Sequence, residues 1–541
     1  MNLILAAIIA LLLPVSGGND YSSYILTPKA PDTPRINGPR VYGNLPGTPF
    51  LFKIPATGVR PMTFSAEGLP SGLKLDAENG IISGEVSGKG IWTVTLTASN
   101  ALGSCSRELR IEIGDKICLT PPMGWNSWNC WRMSVSQEKV ISSVDAFIAL
   151  GLDRYGWSYV NVDDGWQYER GGKYNALQPN SKFPDMKALA DYVHSKGLKF
   201  GIYSSPWSMC PGGTPGSSAT NPEGRYWWIE ENDCDEYHAH PRKKGEDWDE
   251  IRYHGKYLFV RNDAEQWRDW GVDFLKYDWH PNDYYSVKAM HDALASTGRS
   301  IAYSISNRAP IGMGDAYVKL TNAWRTSSDI SDQWSEIYRI GFTIMDRWAA
   351  YTGPGHWPDA DMLEIGTVAD PVNEGKTRTC RLSPDEQYTH MTLWAILCSP
   401  LLIGCDLADM DPFTLSLLTN NEVIDVNQDP LGYPAARVES DGNTVVYHKP
   451  LEDGSLVVAL FNISDKPQKM GFRIGQLNYM MVEPQTVRDL WRQEDICVLK
   501  PGEKRYGGDL FETEVAPHGC RLLKLSPGLN YDQKIWWPDG K

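Results

Sequence analysis

Positive charge is in short supply in this sequence. Across 541 residues, 52 Lys and Arg face 67 Asp and Glu, for a formal charge of −15. Nucleic acid demands basic stripes, so that class of partner is excluded. Cysteine is sparse as well. Cys105, Cys118, Cys130, Cys210, Cys234, Cys380, Cys398, Cys405, Cys497 and Cys520 are spread thinly, and their spacing does not resemble a zinc site. Long apolar runs are missing beyond the first residues, so no membrane anchor is expected. The one run, Leu3 to Leu13 in "MNLILAAIIALLLPVSGGND", is too short for a stable span, and Pro14 ends it. With Val15-Ser16-Gly17 behind it, residues 1–18 read as a signal peptide. The protein is therefore expected to be exported, periplasmic or extracellular, where disulfides are permitted. Cys210 and Cys234 bracket one long loop and are the candidate pair.

Aromatic residues are plentiful, with 21 Trp and 26 Tyr. The apolar face of a pyranose stacks on such rings, but a large core also takes many of them. Composition alone leaves both readings open.

The chain is too long for one core. Residues 19–33 are polar and Pro-rich and read as a linker. Residues 34–115 carry strand signals, and "IWTVTLTASN" puts Trp92, Val94, Leu96 and Ala98 on one face with the period of a half-buried strand. This stretch resembles an immunoglobulin-like sandwich and holds no catalytic cluster. Residues 116–431 change rhythm. Short strands ending at "MGWNSW", "YVNVDDGW", "KFGIYSS", "DFLKYDW", "SIAYSIS", "AWRTSSD", "DMLEIG" and "PLLIG" alternate with amphipathic stretches such as "MKALADYVHSKG". Eight such repeats predict a (β/α)8 barrel. Residues 432–526 return to strand, turn, strand and predict an antiparallel β-sandwich, and 527–541 form an aperiodic tail. The expected fold class is thus a (β/α)8 barrel flanked by two all-β sandwiches.

A barrel of this kind builds its site at the C-terminal strand ends. Trp128, Asp163, Asp164, Tyr203, Lys276, Asp278, Arg325, Asp329 and Asp361 fall there. One Asp after a strand is an ordinary helix cap, but carboxylates after several strands are not explained that way. Two carboxyls facing one anomeric carbon hydrolyse a glycoside, one attacking and one protonating the leaving oxygen. Asp278 and Asp329 suit those roles. Lys276 shares the strand face of Asp278 and is expected to keep it ionised. Asp329 is expected to start protonated, raised by the carboxylate nearby. Asp163 and Asp164 reach one ligand together only if their strand has already ended, which Gly165 allows. Each of these carboxylates is expected to accept from two sugar hydroxyls. No His pair follows the first strand, and His238 and His240 lie in a polar insertion, so no metal or cofactor is expected. The segment from Ser205 to Arg261 is long for a barrel loop. Its rings, Trp207, Tyr226, Trp227, Trp228, Trp248 and Tyr253, either wall the site or form the loop's own core.

Nine motifs now carry a family resemblance. "TPPMGWNSWN", "YVNVDDGWQ", "GLKFGIYS", "DFLKYD", "GRSIAYSIS", "WRTSSDI", "GPGHWPDADMLEIG", "LWAILCSPLLIGCDL" and "NNEVIDVNQDPLG" together resemble glycoside hydrolase family 27 over roughly residues 118 to 525. That family comprises α-galactosidases and α-N-acetylgalactosaminidases. The resemblance implies a barrel with a C-terminal sandwich, no metal, and retention by double displacement. It implies Asp278 as nucleophile and Asp329 as acid/base. It places Trp128, Asp163, Asp164, Tyr203, Lys276, Arg325, Asp361 and Met362 around the sugar, with the Asp pair near O4 and O6 and Arg325 near O2.

Three departures stand out. His280 occupies the position where the family often has a Cys bridged to the loop after the third strand. That loop carries the long insertion. Ser306 and Ala309 in "YSISNRA" resemble the small pair that admits an N-acetyl group, although Asn307 and Arg308 do not follow that pattern. The leading expectation is an exo-acting α-galactosidase whose partner is a glycan ending in an α-galactosyl-type sugar. The rivals are an α-N-acetylgalactosaminidase, a β-L-arabinopyranosidase and a non-catalytic carbohydrate-binding paralogue.

Overall fold

The computed structural model describes residues 20–226, 254–373, 375–477, 483–502 and 507–527. The expected signal peptide, His238, His240, Cys234, Trp227, Trp228, Trp248, Tyr253 and the tail beyond Pro527 fall outside them.

The barrel is one curled parallel sheet of eight strands. We number them β1 (Met123–Asn126), β2 (Tyr159–Asn161), β3 (Lys199–Ser204), β4 (Phe274–Asp278), β5 (Ala302–Ser306), β6 (Ala323–Arg325), β7 (Trp357–Asp359) and β8 (Leu401–Ile403). Each pairs in parallel with its sequence neighbour from β1 to β7, and β8 returns to pair with β1. A single bridge from Leu363 to Ile403 links the chain after β7 to β8. The seventh strand is a correction. "DMLEIG" is not the strand; it follows β7, whose three residues "WPD" include a proline that reads as a turn in sequence.

Helices pack outside. The helix α1 (Gln137–Ala149) is capped by Ser136, which accepts from the Lys139 N–H, and it buries Val140, Val144 and Phe147 at helical spacing. After β7, α2 (Pro384–Ile396) opens with Pro384 behind a reciprocal Ser383–Glu386 capping box. Almost every residue of α2 is buried, because the C-terminal sandwich covers its outer side. The Trp491 indole donates to Thr392 and the Thr389 hydroxyl to the His518 carbonyl.

That sandwich has a six-stranded sheet centred on Leu456–Asn462 and Cys520–Ser526. The strands Thr444–Pro450 and Leu456–Asn462 pair as the expected strand, turn, strand. At the other end of the chain, sheets of four and three strands enclose a core with Val94, Leu96 and Ala98 buried and Trp92 half-buried. This module sits on the N-terminal pole of the barrel. Lys53 donates to the carbonyl of Lys196, just before β3, and Thr48 meets Ser300, just before β5. The stretch read as a linker is not free at its start. The Leu26 N–H donates to the Tyr388 hydroxyl and Thr27 to the carbonyl of Ser416.

Candidate active site

The strand-end residues converge at the opposite pole. The β2 strand stops at Asn161, and Gly165 turns at φ 110°, so Asp163 and Asp164 both lie beyond the pleat. Asp163 uses one oxygen to accept from the Asn126 amide at 2.8 Å and from Lys276 Nζ at 2.7 Å, and the other to accept the Asp164 N–H. Asp164 accepts from the Gly165 N–H and the Thr214 hydroxyl on one oxygen, and from the Gly212 N–H at 2.8 Å on the other. A carboxylate offers about four acceptor positions. Each Asp therefore keeps one for a ligand hydroxyl, not the expected two. Burial pushes the Asp164 carboxyl up to about 7 in spite of those donors.

Asp278 ends β4 and accepts from the Tyr203 hydroxyl at 2.9 Å. Burial pushes its carboxyl up to about 6; the nearby Lys276 opposes that shift and Asp329 adds to it. This corrects the expected role of Lys276. The ammonium, 14% exposed, makes its short contact to Asp163 and only partly offsets the burial of Asp278. Burial also works against the charge of Lys276, but Asp163 and Asp278 outweigh it and hold the pKa above the ordinary value.

Asp329 lies four residues past β6, with its side chain 68% exposed. Arg325 Nη2 reaches it at 3.0 Å and reaches Asp361 at 2.7 Å. Burial favours the acid form of Asp329, yet Arg325 and then Lys276 hold its carboxyl below the usual value. The expectation of a raised Asp329 is thus reversed. The guanidinium wins because it is 3% exposed, bonded and fixed. Asp361 takes φ 81°, outside the usual range for a side-chain-bearing residue. Besides Arg325, its carboxylate accepts the Ile330 and Met362 N–H groups, its own N–H donates to Asp359, and its carbonyl accepts the Trp394 indole.

The remaining expected residues are placed as follows. Trp128 is half-buried in the turn after β1, with its N–H on the Asn126 side chain. Met362 is buried beside Asp361. Ser306 is paired across the sheet with Asp278, and its hydroxyl is buried with no hydrogen-bond partner. Ala309 is buried, with its N–H on the Arg325 carbonyl. Trp279 turns inward against Tyr277 and donates to Asp283. Tyr226 belongs to the loop's own core, bonded to Arg170. Cys210 is a buried thiol that accepts from Gln167.

Sequence reasoning missed Asn126, Gly212, Thr214 and Asp359. Asp359 is buried, lies on β7, and accepts the Asp361 N–H; burial pushes it up to about 6. Its position two residues before Asp361 in "WPDADMLEIG" was the available signal. Among the described residues no group of three or more His, Cys, Asp and Glu is arranged to hold a metal ion.

A parallel eight-stranded barrel with two neighbouring carboxyls, a lysine and an arginine at its C-terminal pole is an arrangement that glycoside hydrolases use. The family model described as Alpha galactosidase A matches residues 120–223 and 249–429, its C-terminal β-sandwich model matches 441–525, and an Ig-domain model matches 33–114. The chain belongs to the α-galactosidase A family. Alpha-galactosidase 2 of Arabidopsis thaliana is 33% identical over 442 residues, 80% of this chain and 96% of that protein. A Bacteroides fragilis protein solved as a candidate α-galactosidase/melibiase is 33% identical, with 93% of this chain and 99% of that one covered and a TM-score of 0.76. The family 27 β-L-arabinopyranosidase of Geobacillus stearothermophilus is 32% identical, covering 76% and 97%, with a TM-score of 0.61.

Proposed function

We propose that the protein is an exported, retaining, exo-acting α-galactosidase that releases terminal α-D-galactosyl residues from glycans. The observation that supports this reading best is the pair of unlike carboxyls close enough to act on one another's charge. Asp278 is half-buried under Tyr203, and Asp329 is open to solvent on Arg325. Asp278 attacks C1 while Asp329 gives its proton to the leaving oxygen. Water then attacks C1 of the glycosyl-Asp278 ester, and Asp329 takes the water's proton.

The two carboxyls titrate as a pair. With Asp278 near 6 and Asp329 held low, the pair carries one proton at about pH 5. A bound sugar strips water from Asp329 and sets a developing cation over Asp278. Both effects move the proton to Asp329. Asp163 and Asp164 each offer their one remaining acceptor position to the O4 and O6 hydroxyls, and Arg325 faces O2. The leading apolar run supports export.

A second reading, α-N-acetylgalactosaminidase, is favoured by Ser306. Its buried, unpartnered hydroxyl next to Asp278 suits an acetamide. Nitrophenyl α-galactoside, α-N-acetylgalactosaminide and β-L-arabinopyranoside should be compared side by side, with Asp278→Asn as control. Fastest cleavage of the α-galactoside, with the variant reduced by about 10⁴-fold or more, is expected. Faster cleavage of either other sugar overturns the choice of substrate, and an active variant overturns the nucleophile.

A further inference from the structure

A cavity of about 270 Å³ lies far from the carboxylates, in the seam between the N-terminal module and the barrel's N-terminal pole. Tyr42 and Phe52 line it from the module, and Ile117, Cys118, Tyr159 and Lys199 from the barrel. Lys199 opens β3. Its Nζ stands 4.5 Å from the Tyr42 ring centroid and 5.0 Å from that of Tyr159, and 3.4 Å from the Tyr159 hydroxyl.

The other charged side chains around the cavity are matched. Lys53 pairs with Asp153 at 2.8 Å, and Asp273 is shared by His194 at 2.7 Å and by Arg299. Among the described residues no carboxylate stands within 4.0 Å of Lys199; it meets the two rings and the phenols of Tyr159 and Tyr42, and Asp273 acts on it only from further off. Aromatic faces offset part of the cost of taking an ammonium out of water. A carboxylate offsets more, because it accepts a charge-assisted hydrogen bond.

We propose that this seam is a second ligand site, separate from the sugar pocket, that binds a small organic carboxylate. The acid group accepts hydrogen bonds from both Lys199 Nζ and the Tyr159 hydroxyl. The body of the ligand lies against Tyr42, Phe52 and Ile117. The volume is just below the usual range for ligand pockets, about 300–1,000 Å³. It fits a single-ring acid and excludes an oligosaccharide. Because the walls come from two domains, the bound acid fastens the module to the barrel and stabilises the native state by mass action.

Thermal unfolding of the full-length protein in sodium benzoate, in benzyl alcohol and in sodium chloride of equal ionic strength tests this. Benzoate should raise Tm by a few degrees, the other two should not, and Lys199→Met should abolish the shift. An equal shift with benzyl alcohol or chloride, or no benzoate shift in the wild-type protein, overturns the proposal. Crystals of the wild-type protein soaked in 4-bromobenzoate supply a readout free of any folding defect in the variant. A bromine anomalous peak in the seam supports the site, and a peak only in the sugar pocket, or none, refutes it.

Discussion

Arg325 decides how the two carboxyls divide their labour. Its guanidinium is nearly inaccessible, bridges Asp329 and Asp361, and holds Asp329 down while burial lifts Asp278 to about 6. The free pocket therefore loses its last shared proton near pH 6. Above that value no proton remains for the leaving oxygen. The kcat/KM profile on an α-galactoside should fall above about pH 6, with its acid limb displaced below the ordinary carboxylate range. A profile flat from pH 5 to 8 would show that the pair does not titrate this way. None of this order was legible in the residues. Lys276 stands two places from Asp278 in sequence, and that proximity points to Lys276 as the charge that keeps Asp278 ionised. The fold sends its Nζ across the barrel to Asp163 instead.

The loop after β3 shows what an element adds to a site. Residues Cys210 to Ser217 fold back over the β2 strand end, and Gly212 and Thr214 occupy three-quarters of the task of solvating Asp164 together with Gly165. A Cβ on Gly212 would stand 2.5 Å from the Asp164 carboxylate, so only glycine lets the backbone come this close. Thr214→Val keeps the shape and removes one donor from a buried carboxylate. It should cost about 1–3 kcal/mol, read as a lower midpoint in urea, and weaken binding of any sugar held through Asp164. Most of the barrel was readable, because strands β1 to β6 announce themselves by apolar runs that end in polar tips. The seventh was displaced because three residues with a central proline carry no strand signal. The site residues were readable for the same reason as the strands: Asp278 sits at a strand tip, and Asp163, Asp164, Asp329 and Asp361 follow within a few residues of one. Their partners were not. Thr214 reaches Asp164 across fifty residues of sequence, and no local pattern encodes such a contact.

At the scale of the whole molecule, several carboxyls are lifted above the values of about 3.9 for Asp and 4.3 for Glu that they take in an unfolded chain. Burial raises Asp278 and Asp359 to about 6, Asp164 to about 7 and Glu364 to about 8. Such groups bind protons in the folded state that the unfolded state has already released. Their contribution to stability is complete below about pH 4 and is lost as pH rises through 6 to 8. Tm should therefore be higher at pH 5 than at pH 8. Glu364→Gln keeps an acceptor for the Asn129 amide and should narrow that difference by a few degrees; an unchanged difference would remove Glu364 from the account. Against the pull of burial, bonds to His254, Ser286 and Trp279 hold the Asp283 carboxyl far below the ordinary carboxylate range, so it acts only below this window.

The docking of the N-terminal module has a directional consequence. Its bonds to Lys196 and Ser300 attach it behind the strands, while Asp278 and Asp329 open in front of them. The module thus works as a bracket and the barrel as a lamp. A protein held to a surface through the module's far side points its mouth outward, toward whatever the surrounding medium brings.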